Sequence, residues 1–369
     1  MRIFLAGTSL QPEYGGPAYS VSRLAAALSD AGVEVGLWAQ DQSAATTALL
    51  PAGSQVQRLG GTAFEALQRF GKAGVIHDNG IWLRHNHRLA EIAAASGVPR
   101  VVSTRGMLEP WAMNHKWVKK RLAWWMYQRR DLKRAACHHA TAEMEAAGVR
   151  QLGLGVPVRV IPNGVDLPRD GAKAAGAGDD RRKTALFLGR IYPVKGLPML
   201  VDAWARVRPS GWNLRIAGPD EAGHRAEVEK AVTSAGMNDV ISFSGPLDGE
   251  QKEEALSRAD LFILPSHSES FGMAVGEALA HGLPVLTTTA VPWPMLPASG
   301  CGWRVEPTVD GIAAGLRQAT STDATTLRAM GTKGRALVAA EFGWDRVAQQ
   351  FVRLYEDLVC SVPPTPSGR

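Results

Sequence analysis

Cysteine is scarce in this sequence. Cys137, Cys301 and Cys360 are the whole complement of 369 residues, odd in number and far apart. Such a set builds no disulfide framework and fits a reducing compartment. Long apolar runs are missing too, and none approaches the roughly 20 residues that span a bilayer as a helix. The apolar start, residues 1–6, carries one Arg and no cleavage signature, so it reads as a first strand and not as a signal peptide. A soluble, cytoplasmic chain is expected, able to touch a membrane from its inner face. Metal-binding patterns are likewise absent. No two Asp stand two positions apart, the spacing that carries a cation onto a diphosphate, and neither H-E-x-x-H nor C-x-x-C occurs. His138 and His139 are adjacent on an expected strand and point to opposite faces, so no metal is expected. The sequence also lacks G-x-G-x-x-G and G-x4-G-K-[ST], which excludes the phosphate loops of dinucleotide dehydrogenases and P-loop NTPases.

What is present points to two domains. The chain is long enough for two ordinary cores. Strand-like runs at residues 2–6, 33–38, 74–77 and 100–103 alternate with helical spacing, as in Val21, Leu24, Ala25 and Leu28. The rhythm repeats with strands at 185–188, 213–217, 240–243, 261–264 and 284–287. This alternation predicts parallel sheets with helices on both faces, an α/β class with two Rossmann-like domains. The expected boundaries are 1–164 for the first domain, 165–183 for a Gly- and Ala-rich linker and 184–343 for the second domain. A last helix is expected at 344–360 and a disordered tail at 361–369. Charge is uneven: residues 1–164 hold 19 Lys and Arg against 11 Asp and Glu, whereas the remaining 205 hold 22 against 24. The excess in the first half predicts an anionic partner.

Ligands of open parallel sheets sit beyond the carboxyl ends of the strands. Two loops of the second half stand out there. Residues 189–196 (GRIYPVKG) place Arg190 and Lys195 on one short crossover, where paired cations can clamp a diphosphate. A solvated basic loop would read the same way. Residues 266–277 (SHSESFGMAVGE) run from a polar loop into a helix that starts near Phe271 or Gly272. Backbone N–H groups at a helix start hold phosphate oxygens, and Gly272 lets a ligand approach. Glu269 can receive sugar hydroxyls and Glu277 both ribose hydroxyls. Each also has a plain reading, as a first-turn acid suited to the helix dipole and as a solvent-facing helix acid.

The stretch ESFGMAVGEALAHGLPVLTT resembles the E-x7-E signature of retaining glycosyltransferase family 4, also called group 1. LFLGRIYPVKGLPMLVDAW is similar to the family's G-R-x4-K-G loop, VIPNGVD to its inter-domain I-P-N-G-V-D, and QPEYGGPAYSVSRLAAAL to its N-terminal glycine loop. The four motifs occur in family order over roughly residues 1–360. The resemblance implies a GT-B fold, two Rossmann-like domains facing each other across a cleft, with a C-terminal helix crossing back to the N-terminal domain. It implies transfer of a hexose from a UDP- or GDP-sugar to a saccharide or lipid-linked acceptor, in surface polysaccharide or glycolipid synthesis. Retention through an oxocarbenium-like transition state is implied by the resemblance alone. On the matching positions, Arg190 and Lys195 bind the diphosphate, Glu277 the ribose and Glu269 the transferred sugar. Phe271 and Gly272 offer N–H groups, and Gly16 approaches the phosphates from the N-terminal side.

One departure marks an R-G-M-L subgroup: Arg105 stands where many members carry the His of a His-Gly pair. Arg105 and His77, the latter expected at a strand end, are acceptor-side candidates, and His77 reads equally as a structural histidine.

Residues 115–134 (HKWVKKRLAWWMYQRRDLKR) mix eight Lys and Arg with Trp117, Trp124, Trp125 and Tyr127. Apolar residues at Trp117, Val118, Leu122, Trp125 and Met126 predict an amphipathic helix. It docks on an anionic membrane, or else its aromatics enter the core while its cations stay wet. No recognition module accompanies it, so no nucleic-acid partner is expected. The rival readings are a nucleotide-sugar hydrolase or epimerase, and a degenerate protein that only binds sugar nucleotide.

Overall fold

The first strand, β1 (Arg2–Gly7), is buried along almost its whole length. Its side chains alternate between two apolar layers, as the two-residue strand period requires. Ile3 and Leu5 pack with Val21, Leu24 and Leu28 of the helix Gly16–Asp30, and with Phe351, Leu354 and Tyr355 of the helix Trp344–Cys360. Phe4 and Ala6 face Ala66 and Phe70 of the helix Ala63–Phe70 and Leu89 of the helix Arg84–Ser96. One strand thus organises both sides of its sheet.

The computed structural model describes residues 1–114, 117–168 and 182–361. The expected linker falls mostly on 169–181 and the tail on 362–369, which lie outside the described residues, as do His115 and Lys116. Contacts divide the chain into two units, Met1–Gly164 with Trp344–Arg369, and Val165–Gly343.

Among the described residues, the first unit holds β1, β2 (Glu34–Ala39), β3 (Gln57–Leu59), β4 (Val75–Asn79), β5 (Arg100–Ser103), β6 (Cys137–Ala140) and β7 (Val158–Val160). All pair in parallel, in the order β3-β2-β1-β4-β5-β6-β7. The second unit holds β8 (Lys183–Leu188), β9 (Trp212–Ala217), β10 (Ile241–Phe243), β11 (Leu261–Leu264), β12 (Val285–Thr288) and β13 (Gly302–Val305), in the order β10-β9-β8-β11-β12-β13. In each sheet the strand order reverses once, between β1 and β4 and between β8 and β11. Crevices at such reversals are where parallel sheets bind ligands. The helix Trp344–Cys360 belongs to the first unit, so the end of the chain returns to the domain where it began. No helix among the described residues is long and apolar enough to cross a membrane.

Candidate active site

The two loops singled out in the second unit leave neighbouring strands at its switch point. The 189–196 loop follows β8 and the 265–272 loop follows β11, and the backbone N–H of His267 donates to the Val194 carbonyl at 2.7 Å. Gly196 makes this approach possible: its φ is +67°, and a Cβ there would fall 2.3 Å from the Pro265 carbonyl oxygen. Lys195 consequently reaches Glu269, and the two form an ion pair with both side chains largely buried. Ser266 Oγ donates to the same Glu269 oxygen at 2.9 Å. Lys195 and Glu269 are therefore brought together although 74 residues separate them.

The other two expected members take partners that the sequence had not singled out. The 189–192 segment lies along 218–221, with a bridge from Ile191 to Asp220, and Arg190 pairs with Glu221 at 2.5 Å. Glu277, in the helix Met273–Ala280, pairs with Lys252 of the helix Gly249–Arg258 at 2.6 Å. Its side chain is only 14% exposed, which corrects the reading of a solvent-facing acid. Gly272, at φ +80°, is the N-cap of that helix and supplies no capping side chain. Trp293 Nε1 donates to the Phe271 carbonyl at 2.7 Å and holds the turn in place. The Phe271 ring itself is buried against Trp293 and Phe342. Arg190, Lys195 and Lys252 thus each have a carboxylate partner.

In the first unit, Gly16 opens the helix Gly16–Asp30 after a turn at Pro12–Tyr14 and is exposed. Arg105 follows β5 with its backbone in the left-handed region, φ +52°. For His77 the structural reading holds and the acceptor-side reading fails. It lies in the middle of β4 and not at its end, and it is 0% exposed, so it presents no surface to an acceptor.

Its neighbours fix its hydrogen bonding. The Ile161 carbonyl can only accept, so His139 Nε2 donates to it at 2.8 Å. His139 Nδ1 then accepts from Ser103 Oγ at 2.6 Å, and Ser103 Oγ accepts from His77 Nε2 at 2.7 Å. His77 Nδ1 accepts from the Tyr355 hydroxyl at 2.6 Å. Every proton in the chain is assigned with both imidazoles neutral. Burial drives the His77 pKa well below its ordinary value, helped by His139 and Arg105, and brings His139 to about 3.

The basic helical stretch divides its aromatics between two faces. It runs as Trp117–Ala123, a wide π turn at Trp124–Gln128, and Arg129–Lys133. Inward, the Tyr127 hydroxyl donates to the Trp82 carbonyl at 2.6 Å, and Trp124 packs on the Trp82 ring. Outward, Trp117, Val118, Leu122, Trp125 and Met126 are all exposed, Trp125 by 73%. The core-packing reading therefore holds for Trp124 and Tyr127 and fails for the other five. Lys120 is drawn into the packing, where its Nζ donates to the Ala112 carbonyl and lies 5.7 Å from the Trp82 ring centre.

Comparison with known proteins agrees with this anatomy. The family model described as "Glycosyl transferase 4-like domain" matches residues 15–164, and "Glycosyl transferases group 1" matches residues 169–336. Each unit thus matches the model of a glycosyltransferase domain. A curated relative, the D-inositol 3-phosphate glycosyltransferase of Actinosynnema mirum, is 30% identical over 243 residues, 58% of this chain and 56% of that protein. The GDP-mannose:cellobiosyl-diphosphopolyprenol alpha-mannosyltransferase of Komagataeibacter xylinus is 29% identical over 62% of this chain and 56% of its own length. The chain thus spans about half the length of these relatives. A solved structure, sucrose-phosphate synthase from Thermosynechococcus elongatus, superposes with a TM-score of 0.78 at 22% identity, covering 98% of this chain and 100% of that one. The fold is GT-B.

Within the first unit, the neutral histidines predict a pH dependence of stability. His85 and His138 are brought by burial to about 4, beside His139 at about 3, against 6.5 for free histidine. Below pH 6.5 the unfolded chain takes up protons that the folded chain refuses, so stability falls as pH drops. Each group contributes at most about 1.4 kcal/mol per pH unit. Asp78, raised by burial to about 6, opposes this between about pH 6 and 3.8. The melting temperature should decline from pH 7 to pH 4.5, and a flat profile would contradict the neutral assignment.

In the second unit, Glu221 and Lys252 leave no signal in the sequence because their own segments carry no motif. Both act through partners 31 and 25 residues away.

Proposed function

We propose that the chain transfers a hexosyl group from a UDP- or GDP-sugar to a saccharide or lipid-linked acceptor, with retention of anomeric configuration and without a metal ion. The observation that carries this reading is the convergence of Lys195 and Glu269 at the β8–β11 switch point, beside the Gly272 helix start. There Arg190 and Lys195 take the diphosphate oxygens and balance the charge that grows as the sugar–phosphate bond breaks. Backbone N–H groups at Phe271 and Gly272 complete the cradle. Glu269 receives hydroxyls of the transferred sugar, and Glu277 accepts both ribose hydroxyls. The acceptor oxygen bonds to the anomeric carbon on the face the leaving group departs from, and its proton passes to the departing phosphate. The names of the two curated relatives, a glycosyltransferase and an alpha-mannosyltransferase, support transfer of a sugar. A thermal-shift screen over UDP- and GDP-sugars should find one that stabilises the chain. Incubating it with acceptors should then give glycosylated product. Rapid donor consumption without acceptor would favour the hydrolase reading, and donor binding with no transfer to any acceptor would leave a binding protein.

The acceptor side of this reading is a membrane one, supported by the exposed face of residues 117–133. Its apolar side chains stand among Lys119, Arg121, Arg129 and Arg130, all exposed. Apolar anchors ringed by cations suit an anionic bilayer surface. The name of the K. xylinus relative specifies a diphosphopolyprenol-linked acceptor, which would be presented at such a surface. Replacing Lys119 and Arg121 by Glu removes two attractions worth about 1 kcal/mol each and adds repulsion. Co-sedimentation with anionic vesicles should therefore fall at least about 10-fold. Trp125→Ser should weaken it further, and unchanged binding in the triple variant would end the docking idea. Lys120 is left in place because it holds the local packing.

A further inference from the structure

We propose that Arg105 is an anion receptor in the first unit, taking a phosphoryl or carboxylate group of the acceptor substrate. This rests on the transferase reading above and deepens its acceptor side. Arg105 follows the carboxyl end of β5, the edge where parallel sheets bind ligands. Its guanidinium is held by neutral amides alone. Nε and Nη2 donate to Asn79 Oδ1 at 3.2 and 2.6 Å, and Nη1 donates to Asn163 Oδ1 at 2.9 Å. These bonds use three of the five N–H groups of a guanidinium and leave two. Among the described residues no carboxylate forms an ion pair with Arg105. Arg190 and the buried Arg100, by contrast, each have one, in Glu221 and Asp78.

Glu145 lends the guanidinium negative charge only through space, since its own hydrogen bonds go to Thr104, Gly106 and Thr141, and a bound oxyanion with two oxygens would meet the two remaining N–H groups directly. Burial lowers the Arg105 pKa to about 10 against the opposing pull of the Glu145 carboxylate, so it stays charged at neutral pH. The side chain remains partly exposed, and a ligand can reach it. His77 and His139, the imidazoles whose pKa values Arg105 lowers, are neutral and compete for no anion.

The loop carrying Arg105 is preset by a carboxylate that the sequence did not reveal. Glu145, only 4% exposed, accepts from Thr104 Oγ1 and the Gly106 N–H, each at 2.7 Å. It also accepts from the Thr141 N–H at 2.8 Å and Thr141 Oγ1 at 2.9 Å. Both residues of the turn, Arg105 and Gly106, have positive φ, +52° and +71°. Four bonds to one carboxylate hold this uncommon conformation, so Glu145 is a positioning residue for the guanidinium.

The test uses the full chain with Lys195→Gln, which weakens the donor diphosphate site. Calorimetric titrations with inorganic phosphate, glucose 1-phosphate and glucuronate are compared with and without Arg105→Gln. Binding of phosphate or glucuronate should fall at least 10-fold with Arg105→Gln and be partly kept by Arg105→Lys. The ligand that loses more identifies a phosphoryl or a carboxylate acceptor. UDP and GDP affinities of the single Arg105→Gln variant should stay within twofold of the native chain. Unchanged anion binding in Arg105→Gln, or no anion binding before it is introduced, would overturn the proposal. An equal loss of nucleotide affinity would also overturn it and assign Arg105 to the donor. Should Arg105→Gln fail to fold, the native chain decides: phosphate binding that persists under saturating UDP or GDP supports the site, and its abolition refutes it. If neither nucleotide binds at all, the donor reading fails while these anion titrations still report on Arg105.

Discussion

Lys195→Ala is expected to lower kcat by about 10²- to 10³-fold, the usual cost of removing one preorganised group that meets charge in the transition state. The ammonium is held at the switch point by Glu269, which is itself fixed by Ser266, so on the proposed reading it needs little reorganisation to meet a diphosphate. Negative charge on the leaving phosphate is greater in the transition state than in the bound donor, so kcat should fall more than KM rises. Arg190 should matter less in the same assay, because it is 48% exposed and its field is screened by water. A Lys195→Ala chain that keeps kcat within a few-fold, with an unchanged melting temperature, would remove Lys195 from the chemistry.

Glu277→Ala should weaken nucleoside diphosphate binding by about 10- to 100-fold, because hydrogen bonds to a charged group contribute about 1.5–3 kcal/mol. The carboxylate stands in the second turn of the helix Met273–Ala280 and is steadied by Lys252, which on the proposed reading prearranges it for two hydroxyl donors. A double-mutant logic isolates the ribose contact. The native chain should prefer the nucleotide over its 2′,3′-dideoxy analogue, and Glu277→Ala should bind both with similar weakness. Unchanged affinity by calorimetry would end the ribose role.

Much of the fold was legible because long parallel strands are buried on both faces and read as unbroken apolar runs. Residues 100–103 and 261–264 were located to the residue as β5 and β11. The strands not anticipated, Gln57–Leu59, Val158–Val160 and Gly302–Val305, lie at sheet edges, where they are short or half-exposed and leave no apolar run to read. His77 shows the opposite failure. A histidine beside a strand end suggests chemistry, but the Tyr355 that buries it comes from 278 residues further along.

Residue order alone determined the two domains, the alternation of strand and helix, the cation-bearing loop at 189–196 and the acid-bearing loop and helix at 266–277. These are local properties, set by side-chain periodicity and by what a turn tolerates. Which charges meet was decided only by the tertiary structure. The strand order that sets β8 beside β11 joins Lys195 to Glu269, while Arg190 turns to Glu221 and Glu277 to Lys252. The same holds for Glu145 beneath Arg105 and for the apolar face of 117–133 left to solvent. Ion pairing and burial depend on distances across the folded chain, which no spacing along it encodes.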